Sequence, residues 1–103
     1  MFKGYRKIKT PIKGLGNYTL WVADTPLKKK LGLSGIRSLP KKHGMIFVYN
    51  KPVNHFFTMK KTSISLTIVF LDKDFNILEV FKCKPYDNKK VRPKSDYSYV
   101  IEI

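Results

Sequence analysis

Hydrophobic and polar residues alternate along several short segments of the chain, which is the pattern of β-strands that bury one face. The clearest segment is 63–71, and its apolar face carries Ile64, Leu66, Ile68 and Phe70. We expect this strand to be half buried, with its other face in solvent. Five further segments rich in aromatic and branched residues also predict strands: 18–23, 45–49, 55–59, 77–82 and 97–103.

A short helix is predicted directly after the strand at 18–23. Thr25 is a suitable N-cap, and Pro26 suits the first helical position because its missing N–H has no partner there in any case. Leu27 and Leu31 lie four residues apart and therefore share one helical face. Either Gly32 or Gly35 ends the helix, so we expect about two turns with the three lysines at 28–30 exposed.

The polar cluster at residues 72–76 separates two predicted strands and predicts a β-hairpin. The fold class is therefore mainly β: a small antiparallel, barrel-like sheet with one short helix, since curling removes exposed sheet edges. We expect one compact domain over residues 18–103. Residues 1–17 form either a basic N-terminal arm or an edge strand.

Length and composition exclude several classes of protein. A chain of 103 residues has room for one domain. Its apolar stretches, such as residues 68–71, are far below the roughly 18 residues of a membrane-spanning helix. The basic N-terminus is followed by no apolar run, so we expect no classical secretory signal and a location in the cytoplasm or, if the gene is phage-encoded, in the virion.

Positive charge dominates the first part of the chain. Lys and Arg number 21 against 7 acidic residues, and residues 1–61 carry a net +13 while residues 62–103 carry +1. An excess of this kind attracts polyanions, either nucleic acid or an acidic protein assembly; the alternative is that the lysines only solvate the surface. Because 18 of the 21 cations are Lys, base-specific readout by Arg is not expected.

Seven lysines on the predicted helix and two turns are the candidate partner-binding residues, and they form one basic face if those elements adjoin. They are Lys28, Lys29, Lys30, Lys41, Lys42, Lys60 and Lys61. Tyr5, Tyr18, Trp21 and Tyr49 are candidates for stacking on single-stranded bases, although core packing is the competing role, above all for Trp21.

The order of several spaced motifs resembles domain-of-unknown-function family 192, which comprises small bacterial, archaeal and phage proteins. The resemblance runs from about residue 20 to the C-terminus and is carried by VADTP at 22–26, GLSG at 32–35, SLP at 38–40, GMIFV at 44–48, Phe57, Met59, Lys60, Thr62, Ile64, Leu66 and IVFLD at 68–72. It implies a β-rich domain with one short helix, and it implies no established activity. It also suggests a shared pocket near His43, Gly44, Met45, Phe57, Met59 and Lys60.

This chain departs from the family pattern at four sites. The family usually has Arg where this chain has Ile36, Trp in place of Thr58, Asn in place of Lys61, and Pro-Leu-Asp where this chain has Ser-Leu-Thr, ending in Thr67. If the family pocket uses those groups, this member binds a different ligand or none, because an Asp-to-Thr change removes a charge and an acceptor.

Catalytic and metal-binding groups are scarce in the sequence. Cys83 with His43 or His55 is the available cysteine–histidine combination. Lys82 and Lys84 flank Cys83 and would lower the pKa of its thiol if they stay near it, although a small packed residue is the simpler interpretation. The acids at 72 and 74 suit turn formation, and no set of residues at ligand spacing predicts a metal or a cofactor.

The sequence therefore favours a non-enzymatic binding or structural module that docks an acidic macromolecule, either nucleic acid or a larger assembly such as a phage particle. The alternative is a small-ligand-binding protein or an enzyme that uses the family pocket near His43 and Lys60.

Overall fold

Six strands and one helix follow one another along the chain in a computed structural model that describes residues 2–103. They are β1 (Lys7–Ile12), β2 (Gly16–Ala23), α1 (Pro26–Leu31), β3 (His43–Val53), β4 (Leu66–Leu71), β5 (Ile77–Cys83) and β6 (Tyr97–Glu102). The predicted class, mainly β with one short helix, is confirmed. No helix within residues 2–103 has the length and apolar character that a membrane span requires.

All six strands belong to one sheet in the order β1-β2-β3-β6-β4-β5. Four of the five pairings are antiparallel, and β2 and β3 are parallel, so the sheet is mixed and not purely antiparallel as predicted. Helix α1 supplies the crossover connection that a parallel pair needs, because a tight turn cannot join two parallel strands. β1 and β5 are the two edges and do not pair, so the barrel-like sheet stays open.

The segment 55–59, predicted as a strand, forms only an isolated bridge between Phe57 and Val91. Its other backbone hydrogen bonds are not those of a strand ladder: the Tyr97 hydroxyl donates to the carbonyl of His55 at 2.9 Å, and the Met59 N–H donates to the carbonyl of Asp87 at 2.9 Å. The apolar residues of this segment pack against the core, where the Phe57 ring contacts the rings of Phe47 and Phe70.

Apolar side chains are buried on both faces of the sheet. The strand predicted as half buried illustrates this, since Ile68 and Phe70 belong to one cluster while Val69 and Leu71 belong to the other. A core cluster packs on each face of the sheet, so both faces of β4 are covered by apolar side chains. The expectation of one exposed face was wrong.

Helix α1 has the predicted ends. The Thr25 hydroxyl oxygen accepts a hydrogen bond from the N–H of Lys28 at 3.2 Å, and Pro26 occupies the first helical turn. Gly32 follows the helix with φ +49°, a left-handed conformation that glycine adopts without steric strain.

The faces of α1 are reversed from the pattern that its leucines suggest. Leu27 is 65% exposed and Leu31 51% exposed, whereas Lys28 and Lys29 are partly buried. The Lys29 ammonium donates to the carbonyl of Val48 at 2.9 Å, and that of Lys28 donates to the carbonyl of Gly4 at 3.1 Å. The prediction of exposed lysines was therefore wrong for Lys28 and Lys29 and correct for Lys30.

Candidate functional site

A cleft of about 470 Å³ lies between α1 and the segment 55–62. Lys29 and Lys30 line it from the helix side, and Lys60 and Lys61 line it from the opposite wall. No acidic residue contributes to its lining within the described chain. Four ammonium groups around one concavity make a positive potential that attracts anions.

Hydrogen bonds to two loops fix the wall formed by residues 55–62. The N–H of Phe57 donates to the carbonyl of Val91 at 2.8 Å, and the N–H of Tyr86 donates to the carbonyl of Thr62 at 2.9 Å. On the helix side, the N–H of Gly35 donates to the carbonyl of Lys61 at 3.2 Å. The wall without regular secondary structure is thus anchored at several points, which holds its lysines in place relative to α1.

The four cleft lysines differ in their exposure to solvent and in the contacts of their ammonium groups. Lys29 is partly buried, since its ammonium is bonded to Val48 and lies 4.3 Å from the centre of the Tyr49 ring. Lys30, Lys60 and Lys61 are exposed and make no salt bridge among the described residues. These three ammonium groups are therefore available to a ligand.

Aromatic rings stand beside the lysines. Tyr49, His55, Phe56 and Phe57 line the cleft. Phe56 is 50% exposed, and the Lys90 ammonium lies 4.6 Å from the centre of its ring. Exposed aromatic rings next to cations are the combination on which unpaired bases stack while phosphates meet the charges.

The structure brings together only part of the predicted lysine face. Lys29, Lys30, Lys60 and Lys61 share the cleft. Lys41 and Lys42 directly precede β3, which begins at His43. The cleft residue Tyr49 lies six positions after His43 on this strand, so roughly 20 Å separate the start of β3 from the cleft. Lys42 instead donates to the carbonyl of Leu15 at 3.3 Å and lies over Tyr18.

The residues of the pocket suggested by the family resemblance are also divided. Phe57 and Lys60 line the cleft, but His43 begins β3 against Trp21, with ring centres 5.4 Å apart. Met45 and Met59 are buried in the core. Gly44 is buried too, and a side chain there would overlap the carbonyl of Glu102, so its role is close strand packing.

The structure also places Trp21 and three of the positions at which departures from the resembled family are expected. Trp21 is 8% exposed and packs in the core, as its competing role required. Thr58 and Lys61 line the cleft, while Ile36 packs against the core. Two of the four positions at which the resemblance implies a departure therefore lie in the lining of the cleft.

A buried acid that sequence reasoning missed lies beside the cleft. Glu102 lines a recess of about 80 Å³ that shares Lys29, Lys30, Ser34, Phe57, Thr58 and Thr62 with the cleft. The side chain is 6% exposed, because β6 places Glu102 between Met45 of β3 and Ile68 of β4, both fully buried. The available sequence signal was an acid between Ile101 and Ile103 in a predicted strand.

The electrostatics of Glu102 follow from burial. Desolvation raises the pKa of its carboxyl to about 8, because the low-dielectric interior disfavours the charged form. No cation lies within 4.0 Å of the carboxyl among residues 2–103, and no described group forms a hydrogen bond with it. At neutral pH the group is therefore mostly an uncharged carboxylic acid.

The remaining candidates have structural roles. Burial raises the pKa of the Cys83 thiol, so the condition for a lowering by Lys82 and Lys84 is not met. Asp72 accepts hydrogen bonds from the N–H groups of Asp74 and Asn76 at 2.9 Å each, which confirms the turn. Within the described residues no group of three His, Cys, Asp or Glu side chains could hold a metal ion.

Residues 8–103 match the family described as uncharacterised ACR proteins, which is domain-of-unknown-function family 192, and the chain belongs to this family. No protein of curated function matches it significantly.

Two solved structures share the fold. A candidate transcription regulator from Sinorhizobium meliloti 1021 has a TM-score of 0.83 and 23% identity, over 96% of this chain and 78% of that chain. A protein of unknown function from Novosphingobium aromaticivorans DSM 12444 has a TM-score of 0.79 and 25% identity, over 98% of this chain and 82% of that chain.

Proposed function

We propose that this protein is a non-enzymatic binding module that holds an acidic macromolecule, single-stranded nucleic acid, in the lysine-lined cleft. The observation that supports this most directly is the meeting of four lysines and no acid with exposed aromatic rings in one concavity. The cleft volume of about 470 Å³ is within the range of pockets that enclose small molecules, so one nucleotide of a strand fits it.

Each group in the cleft has a role in this proposal. Lys30, Lys60 and Lys61 contact phosphates, since their ammonium groups are exposed. Phe56 and His55 stack on bases, because both rings are exposed at the mouth of the cleft. Lysine acts as a point charge and stacking tolerates every base, so binding is expected to show little sequence preference.

A pair of charge-matched variants tests the proposal. K30Q/K60Q/K61Q removes three charges from the cleft, and K7Q/K9Q/K13Q removes three exposed charges from β1 and its turn. Lys29 is left unchanged because it also supports the fold. We expect the cleft variant to bind a fluorescent dT12 strand at least about tenfold more weakly than the β1 variant, with a shallower salt dependence, in an anisotropy titration.

Equal losses in the two variants would show that net charge alone attracts the strand, and would contradict the assignment of the cleft. A poly-glutamate peptide serves as the second ligand. Tighter, cleft-dependent binding of that peptide would replace nucleic acid with an acidic protein surface, including one on a phage particle, as the partner.

A further inference from the structure

The recess at Glu102 has the features of a built subsite. Its volume of about 80 Å³ exceeds the roughly 30 Å³ that one water molecule occupies in the liquid, so a group of a few atoms fits. It opens beside the cleft, and its lining includes the side chains of Thr58, Thr62 and Ser34. Glu102 is 94% buried, no described group is hydrogen-bonded to its carboxyl, and the carboxyl oxygens keep contact with solvent, so a ligand in the recess can reach them.

The chemistry of an uncharged carboxyl limits what can pair with it. A protonated carboxyl has one O–H donor and one carbonyl acceptor side by side. The matching partner presents the same two functions in reverse, an N–H next to a carbonyl oxygen or ring nitrogen. Buried polar groups are normally hydrogen-bonded, and a ligand of this type would satisfy both functions of the carboxyl at once.

We infer that the recess is a binding subsite for an uncharged amide-type group, which the carboxyl of Glu102 holds by a pair of hydrogen bonds. For nucleic acid in the cleft this identification rests on the proposed function, and the group is then the hydrogen-bonding edge of a base. The lysines contact the phosphate at the mouth while the edge of the base enters the recess.

The charged and titratable groups around Glu102 set the pH dependence of this subsite. Lys29 and Lys30 face it from α1. Burial raises the pKa of Tyr49 on β3 and of Cys83 on β5, and the ionised Glu102 carboxyl adds a smaller increase to both pKa values. The binding form is the protonated carboxyl. Affinity for an amide is therefore full well below pH 8, falls to half where the pH equals the pKa of about 8, and is lost as the pH rises further.

Acetamide is the probe that tests the subsite directly. We expect saturable shifts of the methyl NMR signals of Leu33 and Thr62, both in the recess lining, and none at Leu15, which lies outside it. The apparent dissociation constant should rise about tenfold between pH 7 and about pH 9, in line with the protonated fraction. Methyl acetate, which lacks the N–H, should bind more weakly.

Two variants complete the experiment. E102Q retains a donor and an acceptor without titrating, so acetamide binding should persist and become independent of pH. E102L should abolish it; if E102L does not fold, the wild-type pH series and E102Q still decide the question.

The inference is overturned by an absence of saturable shifts in the wild-type protein, by equal affinity at the two pH values, or by equal binding of methyl acetate. Its failure is distinguishable from that of the proposed function. If acetamide binds and the dT12 oligonucleotide does not, the recess is a subsite and the nucleic-acid assignment is wrong. If dT12 binds and acetamide does not, only the inference about the recess is wrong.

Discussion

The burial of the Glu102 carboxyl affects the stability of the protein as well as its ligand preference. Glu102 has an ordinary pKa of 4.5 and a pKa of about 8 in the folded protein. Between these values the unfolded chain has lost the proton that the folded chain keeps. Because the unfolded state then binds fewer protons, stability falls as the pH rises from about 4.5 to 8 and levels off above that range.

The change E102Q should remove this pH dependence. The amide is nearly isosteric with the carboxyl and cannot ionise. Near pH 4.5 the free energy of unfolding of E102Q should therefore be equal to or lower than that of the wild type. Near pH 8 it should be higher by a few kcal/mol, since each unit of pKa difference is worth about 1.4 kcal/mol. Urea unfolding at several pH values measures the difference. A constant difference between the two proteins across this range would show that Glu102 does not titrate as described.

Two other carboxyls with shifted pKa values titrate outside this pH window. A hydrogen bond from Arg6 lowers the pKa of Asp24, and a backbone hydrogen bond from Asn76 lowers that of Asp72, so both carboxyls titrate below their ordinary value of 3.8. Their stabilising contributions are present above that pH and are lost as the pH falls. They therefore do not disturb a comparison made between pH 5 and 8.

At the scale of the elements, α1 shows that a lysine can be the residue that attaches a helix. Lys29 donates to the carbonyl of Val48 and packs on Tyr49, so it ties α1 to β3, while Leu27 faces solvent. The long aliphatic stem of lysine permits this, because it crosses apolar surface while the ammonium reaches a polar group.

K29M and K30M form a matched pair that tests this attachment. Each removes one charge from neighbouring positions and keeps an unbranched side chain. K29M should lower the free energy of unfolding by about 1–2 kcal/mol through the lost hydrogen bond and cation–π contact, and K30M by less than about 0.5 kcal/mol. Equal effects in urea unfolding would mean that Lys29 contributes no more than surface charge.

Capping and turn residues correctly predicted those elements that depend on hydrogen bonds between residues close together in the sequence. Thr25 and Pro26 define the start of α1, and Asp72 with Asn76 defines a turn, because in each case the hydrogen bonds join residues a few positions apart. The orientation of α1 depends on a carbonyl at Val48, which is 19 positions away. No periodicity within the helix records that distant partner.

The site was less predictable than the fold for the same reason. The parallel pairing of β2 with β3 carries α1 over the sheet and brings Lys29 and Lys30 opposite Lys60 and Lys61, and only topology decides that meeting. Glu102 is flanked by the buried residues Met45 on β3 and Ile68 on β4, and only the order of the strands brings these two residues beside it. The lysines and the strand that carries Glu102 can be predicted from the sequence, but the order in which the strands pair cannot.

For the whole molecule, a net charge of +14 on 103 residues produces self-repulsion in the compact state. Only two ion pairs, Arg6 and Lys28 with Asp24, occur among the described residues, and exposed pairs of this kind contribute little. Repulsion should therefore outweigh attraction among the surface charges at low ionic strength.

Added NaCl should consequently raise the melting temperature, by roughly 2–5 °C between low salt and about 0.3 M, because screening weakens the repulsion. K7Q/K9Q/K13Q carries three fewer charges and should show a smaller increase. A melting temperature that falls with salt in calorimetry would mean that attractive pairs dominate this surface.

The open sheet has a consequence for how molecules of this protein meet one another. The free margin of β1 exposes backbone groups that could template strand addition, the first step toward aggregation. Lys7 and Lys9 stand exposed along this margin, and Pro11 lacks an N–H to offer. If the β1 edges of two molecules paired, their lysines would repel each other, and each proline would leave a gap in the ladder of backbone hydrogen bonds. The edge strand β1 therefore protects the protein against self-association at high concentration.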